Sequence, residues 1–262
     1  MLKIVVEKEE SYAPEYQELF RFVLQGPRGL IYDGENVYCW EENSWSYYHE
    51  STYLFEWVGN VGTFHIPMAG YQRNADGGTY NLSIYDCWGN LVYENQYTFS
   101  GPKLEVLYEP TVYFSDATMV SYEPTLYERG VAGVAINIAN TGDLPAYVHA
   151  TRISVPGYGT TANSTFYLGE LVTYVVSGVT CFEGQGSEYG AVLIMPGENV
   201  IFSPAPFATD PDFHTLPTGS AQFLNISLLE EKFAGSMGSM FTTGEFTRIL
   251  LSYDMVINVP PE

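Results

Sequence analysis

The chain has 262 residues and carries 31 Asp and Glu against 10 Lys and Arg, which gives a formal net charge of −21 at pH 7. Nucleic acids and anionic membrane surfaces both need clustered cations on their partners, so neither is expected to bind this chain. A hydrophobic content of 46% excludes a disordered chain, and 22 Tyr with 15 Phe favour β-sheets over helices. Because no run of about 18 apolar residues occurs, we expect no membrane-spanning helix.

Short runs of alternating apolar and polar residues, bounded by Gly, Asn, Asp or Pro, predict the strands of the first 100 residues. These runs span residues 19–26, 62–67, 78–86 and 90–99. Asp76-Gly77-Gly78 and Gly89-Asn90 are typical of hairpins or tight turns, because glycine reaches positive φ readily. Short strands separated by such turns predict a β-sandwich.

Gly101 and Pro102 interrupt this pattern, since proline cannot donate to a central ladder and glycine relaxes the backbone. At roughly 100 to 200 residues per domain, the length also fits two domains better than one. We therefore predict an N-terminal domain over residues 1–102 and a C-terminal domain over 103–262. Further strands are predicted at 130–140, 145–155, 198–204, 220–230 and 246–259, with loop insertions at 156–195, 205–217 and 231–245.

The end of the predicted strand 130–140 has a distinctive order of residues. Val134, Ile136 and Ile138 alternate onto one face, and Thr141-Gly142-Asp143 follows directly. We expect this triplet to supply a reversal with positive φ and side-chain capping. Pro145 then begins the return strand, where a missing N–H costs least.

Two stretches here resemble a known family. "VAINIANTGDLPAYVHATRISV" (134–155) and "VLIMPGENVIFSP" (192–204) are similar to the signature of CARDB-type and related immunoglobulin-like domains of archaeal and bacterial cell surfaces. The resemblance covers roughly residues 104–259, and "GGTYNLSIYDCWGNLVYENQYTFSG" (77–101) resembles the closing strands of surface sandwich domains.

This resemblance implies an all-β fold of two immunoglobulin-like β-sandwich domains in tandem, the second enlarged by loop insertions. It also implies an extracellular location and a non-catalytic structural or adhesion role in an envelope, S-layer or filament assembly. The expected partners are cell-envelope or filament proteins, or other copies of the chain, bound through loops and edges.

The three cysteines, Cys39, Cys87 and Cys181, lack CxxC spacing and histidines at metal-ligand spacing, which argues against zinc and redox chemistry. Cys39 and Cys87 stand in matching contexts, each next to a Trp near the end of a strand-like run. We predict a disulfide between them. The alternative is a pair of buried free thiols, which are common in cores.

No nucleophile motif, phosphate loop or histidine cluster occurs in the sequence, so we expect neither a catalytic site nor a cofactor. The acidic loops 29–36 and 208–219 bring carboxylates together, which leaves calcium as an alternative ligand, although neither matches an EF-hand.

Asn81, Asn163 and Asn225 begin Asn-X-Ser/Thr triplets and are candidate glycosylation sites. Such triplets also arise by chance in a chain of this length. Asn163 is the best candidate, because it is expected to lie in a polar insertion and not in a strand.

A Met- and Phe-containing connection, residues 233–246, is a candidate partner-binding loop. Flexible Met and planar Phe side chains make adaptable contact surfaces, although the loop could instead fold back on its own sandwich. The candidate contact residues are Phe233, Met237, Met240 and Phe241.

The aromatic segment 38–57 offers a second kind of binding site. Its aromatics could form a platform that stacks on sugars, which would make the chain a carbohydrate-binding module. They could instead pack within the core or belong to a long covering loop. The stacking candidates are Trp40, Trp45, Tyr47 and Tyr48. An accessory domain of a secreted hydrolase is a further alternative.

Overall fold

A computed structural model describes most of the chain. The described residues are 2–7, 20–34, 36–39, 44–47, 55–66, 68–69, 73–86, 88–155, 163–167, 172–176, 179–183, 191–203, 215–234 and 241–261. Within these ranges the regular elements are all β-strands, which confirms the all-β prediction. The chain divides into two compact units, the first comprising Met1–Pro102 with Ala234–Met240 and the second comprising Lys103–Phe233 with Phe241–Glu262. Independent folding of domains 1–102 and 103–262 stays a prediction.

The first unit contains nine described strands in two sheets. The strands are β1 (Leu2–Glu7), β2 (Arg21–Gly26), β3 (Gly29–Asp33), β4 (Asn36–Cys39), β5 (Ser44–Tyr47), β6 (Phe55–Val58), β7 (Val61–Ile66), β8 (Gly78–Tyr85) and β9 (Leu91–Phe99). One sheet has the order β1-β7-β6 and the other the order β5-β4-β3-β2-β8-β9. Neighbouring strands in both sheets are antiparallel.

The core of this unit lies between the two sheets. Alternate residues of β8 are buried because one face of the strand turns toward the core. The rings of Phe22 in β2 and Phe64 in β7 lie 4.6 Å apart between centroids, so the two sheets meet at this pair. Tilted aromatic pairs of this kind contribute about 0.5–1.5 kcal/mol beyond the burial of their surface.

The two predicted turns play different roles. Gly89-Asn90 joins β8 to β9 as a hairpin, with Gly89 at φ 82°. Asp76-Gly77-Gly78 instead lies on the connection from β7 to β8, which belong to different sheets. Glycine is needed there because a Cβ at Gly77 would collide with the Ser100 carbonyl, and Gly78 has φ 139°.

The second unit contains fourteen described strands. They are β10 (Leu104–Val106), β11 (Thr111–Phe114), β12 (Thr118–Tyr122), β13 (Thr125–Asn140), β14 (Ala146–Val148), β15 (Ala150–Ser154), β16 (Asn163–Tyr167), β17 (Val172–Val176), β18 (Val179–Glu183), β19 (Val192–Ile194), β20 (Asn199–Ser203), β21 (Thr215–Pro217), β22 (Ala221–Ala234) and β23 (Phe241–Asn258).

The long strand β13 organises this unit. It pairs with β10, β11, β12, β20 and β21, and the sheet continues from β20 through β18 to β17. A second sheet has the order β16-β15-β22-β23, and β14 pairs with β19. Apolar side chains from β13, β20 and β22 form the core, and its most buried members include Ile136, Ile138, Phe202, Ile226 and Leu228.

The predicted strand 145–155 is two strands in different sheets. It divides at His149, with β14 pairing β19 and β15 pairing β16 and β22. Alternation of apolar residues predicts which side chains share a face, but it continues unchanged when a strand passes from one sheet to another. The predicted insertions also contain strands, including β16 to β19 and the outer ends of β22 and β23.

The reversal after β13 differs from its prediction. Gly142 does not take a positive φ. Instead, the fully buried side chain of Asn140 forms the turn. Its Oδ1 accepts the N–H groups of Gly142 at 3.1 Å and Lys103 at 3.2 Å. Its Nδ2 donates to the carbonyls of Leu144 at 2.8 Å and Ile194 at 3.0 Å.

Candidate functional site

The turn between β8 and β9 is closed by one carboxylate. Asp86 Oδ1 accepts the backbone N–H groups of Trp88 at 2.9 Å and Asn90 at 2.8 Å, and Oδ2 accepts the Asn90 Nδ2 at 3.0 Å. The backbone N–H of Gly89 donates to the Asp86 carbonyl at 3.0 Å. The hydrogen bond from the Asn90 side chain, followed by those from backbone N–H groups, holds the pKa of Asp86 below its usual value. The turn is therefore built around an ionised Asp86.

This turn displays a large aromatic side chain to solvent. Trp88 is 75% exposed, although its backbone N–H is fixed by Asp86. Trp is among the residues that most often dominate the energy of protein interfaces, because its large ring loses little conformational entropy on binding. A fixed turn lowers that entropy cost further.

Strand β9, which follows the turn, forms the edge of its six-stranded sheet. Every residue from Leu91 to Gln96 is exposed, so both faces of this part of the strand contact solvent. The neighbouring β8 instead alternates buried and half-buried residues along most of its length. Within the described strands, β9 thus presents an open edge and two open faces.

One hydrogen bond fixes which backbone groups of β9 point outward. The Gln96 N–H donates to the Asn95 Oδ1 at 2.9 Å, so this N–H points away from β8. Residues of an antiparallel strand alternate between bonding one neighbour and facing the other side. The backbone groups of Glu94 and Thr98 therefore also face the open edge.

A tyrosine and asparagine network lies on the inner face of β9. Tyr93 and Tyr97 pair with the core residues Ile84 and Tyr80 of β8, which places them on the same face of the sheet. The hydroxyls of Tyr93 and Tyr97 lie 3.0 Å apart, and the Asn95 Nδ2 donates to the Tyr93 hydroxyl at 3.1 Å. The hydrogen bond with Tyr93, followed by burial, raises the pKa of Tyr97.

The geometry of this network requires both rings to lie along the strand. At about 3.3 Å per residue, the Cα atoms of Tyr93 and Tyr97 are roughly 13 Å apart. Their hydroxyls can meet only if both side chains lean toward each other over Asn95. The network therefore covers the middle of β9 with uncharged aromatic and amide groups.

Strand β9 has a single charged side chain. In a chain of net charge −21, Leu91–Phe99 contains one carboxylate, that of Glu94, and no cation. Edge strands are commonly protected from pairing by Lys or Pro, and β9 has neither. This strand can form backbone hydrogen bonds and apolar contacts with a partner at little electrostatic cost.

The structure places the predicted glycosylation sites on strands. Asn81 lies in β8, Asn163 begins β16 and Asn225 lies in β22. The expectation that Asn163 lies outside a strand is therefore wrong. The Asn225 Nδ2 donates to Ser252 Oγ and Asp254 Oδ1 at 2.8 Å each, so this amide is already engaged. Glycosylation at all three positions stays a prediction.

The predicted disulfide has one member outside the described residues. Cys39 ends β4 and Cys181 lies in β18, whereas Cys87 lies outside them. The bond between Cys39 and Cys87 therefore stays a prediction.

The predicted sugar-stacking and partner-binding residues are described only in part. Trp45 and Tyr47 lie in β5, at the opposite edge of the sheet from β9, whereas Trp40 and Tyr48 lie outside the described residues.

The partner-binding candidates divide in the same way. Phe233 lies in β22 and Phe241 begins β23, whereas Met237 and Met240 lie outside the described residues. Partner binding by this segment stays a prediction.

One of the two segments proposed for calcium already contains a carboxylate that is bound by an arginine. The segment 29–36, predicted as an acidic loop, is largely strand β3 (Gly29–Asp33). Arg21 donates two hydrogen bonds of 2.6 Å to the Asp33 carboxylate there, so a guanidinium already neutralises it. Residues 208–214 of the other acidic loop lie outside the described ones. Across the described residues, no group of three His, Cys, Asp or Glu is arranged to hold a metal ion.

Sequence reasoning missed Trp88 and β9 as a site. The run 90–99 alternates like an ordinary half-buried strand, and a pattern does not tell whether a second sheet covers it. One usable signal was present, because Trp88 stands between Asp86 and Gly89-Asn90 in a turn sequence.

No family model matches the chain. No curated protein matches it either. The resemblance to CARDB-type domains therefore stays a prediction. Among the described residues, there is no helix with the length and apolarity needed to cross a membrane.

Proposed function

We propose that this chain is a non-catalytic structural or adhesion module of an extracellular cell-surface assembly, and that it binds a protein partner through the β8–β9 hairpin. In this proposal its two units are immunoglobulin-like sandwiches in tandem, the second enlarged by insertions. The observation that carries the proposal is Trp88, which is 75% exposed on a turn closed by Asp86.

The energetic argument concerns the indole of Trp88. Burying about 150 Å² of its apolar surface against a partner would contribute about 4 kcal/mol, before the costs of association. Since Asp86 already fixes the turn, the partner need not order it on binding. Exposed apolar groups grouped at one place are typical of interaction sites. Leu91 and Val92, both about half exposed, extend the apolar surface beyond Trp88.

The cell-surface part of the proposal is supported by composition and by the resemblance described above. A net charge of −21 keeps an extracellular protein soluble and disfavours nonspecific association with anionic surfaces. Envelope and filament proteins are the partners that such a module would bind.

The direct test replaces Trp88 in the whole chain. We expect Trp88→Ala to weaken binding to washed cell envelopes about tenfold or more, with an unchanged thermal unfolding midpoint. The matched control is Tyr122→Ala, which removes an aromatic side chain that is 81% exposed in the second unit. If the envelopes bind both variants equally well, the β8–β9 hairpin is not the binding site.

A second candidate function is carbohydrate binding, which the Tyr93–Tyr97 pair favours. Rings that lie along a strand beside an amide can stack on a sugar ring and hydrogen-bond its hydroxyls. Titration with soluble envelope glycans distinguishes this function. Binding that is lost in Tyr97→Ala and kept in Trp88→Ala would favour sugar over protein as the ligand.

A further inference from the structure

We propose that β9 also pairs with β9 of a second copy of this chain, antiparallel and with Asn95 at the twofold axis. The pairing would join two six-stranded sheets into one continuous sheet. It does not depend on which partner Trp88 binds, because it uses the backbone edge of β9 and not the turn.

The first step is the direction of the edge groups. The Gln96 N–H points away from β8, so the N–H and C=O groups of Glu94, Gln96 and Thr98 face outward. A second strand can bond β9 only by matching its own outward residues to these. That requirement excludes every register in which an outward residue meets an inward one.

The second step is the choice among the remaining registers. A register centred on Asn95 places Glu94 of each copy opposite Gln96 of the other, and Tyr93 opposite Tyr97. Asn95 is also the midpoint of Leu91–Phe99, so this register overlaps the strand along its full length. A register centred on Glu94 would place two carboxylates face to face, which is unfavourable in a sheet.

The third step is the identity of the partner. Two chains of net charge −21 repel each other, so self-association requires a surface with little charge of its own. Strand β9 meets this requirement, with one carboxylate that the centred register sets against a neutral amide. The edge is therefore complementary to itself, and a second copy is the partner that it fits.

The Asn95 side chain moderates this pairing. In the single chain its Oδ1 accepts a hydrogen bond from the Gln96 N–H. In the dimer the Glu94 carbonyl of the second copy would become the acceptor instead. Because one hydrogen bond is exchanged for another, we expect a weak dimer that forms as the protein concentration rises. Salt screens the repulsion between the acidic chains, so association should strengthen as ionic strength rises.

A pair of opposite charge changes at one position tests the register. In the centred register, Gln96→Lys sets a cation against Glu94 twice per dimer, and Gln96→Glu sets two carboxylates against it. We expect Gln96→Lys to lower the dimer dissociation constant about tenfold and Gln96→Glu to raise it similarly, measured by sedimentation velocity on the whole chain.

Matched controls separate this effect from net charge. Gln25 is exposed on β2, which is an inner strand of the same sheet. Gln25→Lys and Gln25→Glu therefore make the same charge changes away from the edge. If the Gln96 variants associate no differently from the Gln25 variants, or if the chain stays monomeric at every concentration and salt, the proposal is overturned.

Cross-linking checks the twofold axis. Opposed positions at a non-hydrogen-bonded site bring Cα atoms to about 4.5 Å, within the range for a disulfide. Asn95→Cys should therefore form an intermolecular disulfide through that position on oxidation, identified by mass spectrometry, whereas Gln25→Cys should not. Cross-linking of Gln25→Cys as efficiently as Asn95→Cys would contradict the register. Trp88→Ala should leave self-association intact, which separates failure of this inference from failure of the envelope-binding proposal.

Discussion

Two asparagines in this molecule use the same amide chemistry in opposite surroundings. Asn140 is fully buried at the end of β13 and makes four hydrogen bonds to backbone groups of its unit. Asn95 is exposed at the edge of β9, where its amide bonds one N–H and one tyrosine hydroxyl. Water can replace the bonds of Asn95 but not those of Asn140. The same type of side chain thus holds a turn through buried hydrogen bonds in one unit. In the other unit it covers a strand edge through hydrogen bonds that water or a partner can replace.

The largest effect that we predict is at Asn140. Asn140→Leu keeps the approximate side-chain volume but leaves two N–H groups and two carbonyls without their partner inside the protein. Each such group costs about 1–3 kcal/mol, and allowing for relaxation we expect a loss of about 4 kcal/mol in the free energy of unfolding. Urea unfolding followed by circular dichroism measures it.

The matched control is Asn95→Leu. Since Asn95 is exposed, we expect a change below about 0.5 kcal/mol in the same urea experiment. The comparison between the two sites fails if Asn140→Leu costs less than about 1 kcal/mol, or if both substitutions cost the same.

A second prediction tests the Asp86 turn by pH. The folded-state pKa of Asp86 is lowered, so the hydrogen bonds to its carboxylate stabilise the turn fully above the unfolded pKa of about 3.9. This contribution is lost as pH falls through the lower, folded-state pKa. NMR signals of the Trp88 indole and the Gly89 amide should therefore shift together in acid, while the signals of Asn140 stay unchanged.

The matching substitution is Asp86→Ala. In this variant the acid-induced step at Trp88 should disappear, because the carboxylate that titrates is gone. A step of unchanged midpoint would show that another group controls the turn.

The smallest effect that we predict is at an exposed ion pair. Arg21 binds Asp33 through two hydrogen bonds of 2.6 Å, but the Arg21 side chain is 61% exposed. Solvent screening limits exposed ion pairs to about 0–1 kcal/mol, and the bidentate geometry of this pair places it toward the upper end of that range. A double-mutant cycle with Arg21→Ala and Asp33→Ala should give a coupling energy in this range. A coupling energy above about 2 kcal/mol would show that solvent exposure does not keep the interaction between Arg21 and Asp33 weak.

The sequence predicts the end of β13 but not the cause of it. The pattern places the reversal correctly after Asn140 and assigns it to a positive φ and side-chain capping within Thr141-Gly142-Asp143. The actual cause is a buried amide whose partners Lys103 and Ile194 lie 37 and 54 residues away. Contacts between residues so distant in sequence depend on the packing of several strands, which local turn chemistry does not reveal.

The candidate site shows a similar limit. The hairpin at Gly89-Asn90 and both of its strands follow from the sequence, because turn residues and alternation are local signals. The exposure of Leu91 to Gln96 does not, because it depends on how strands far apart in the sequence pack together.

Amide hydrogen exchange at residue resolution tests the open edge of β9 most directly. In dilute monomer, the outward N–H groups of Glu94 and Thr98 should exchange rapidly, while those of Tyr93 and Tyr97 exchange slowly because they face β8. The Gly142 N–H, held by buried Asn140, should be among the slowest. Raising the protein concentration should slow exchange at Glu94. If Glu94 and Thr98 are already as slow as Tyr93 in the monomer, the edge is not open and the account is contradicted.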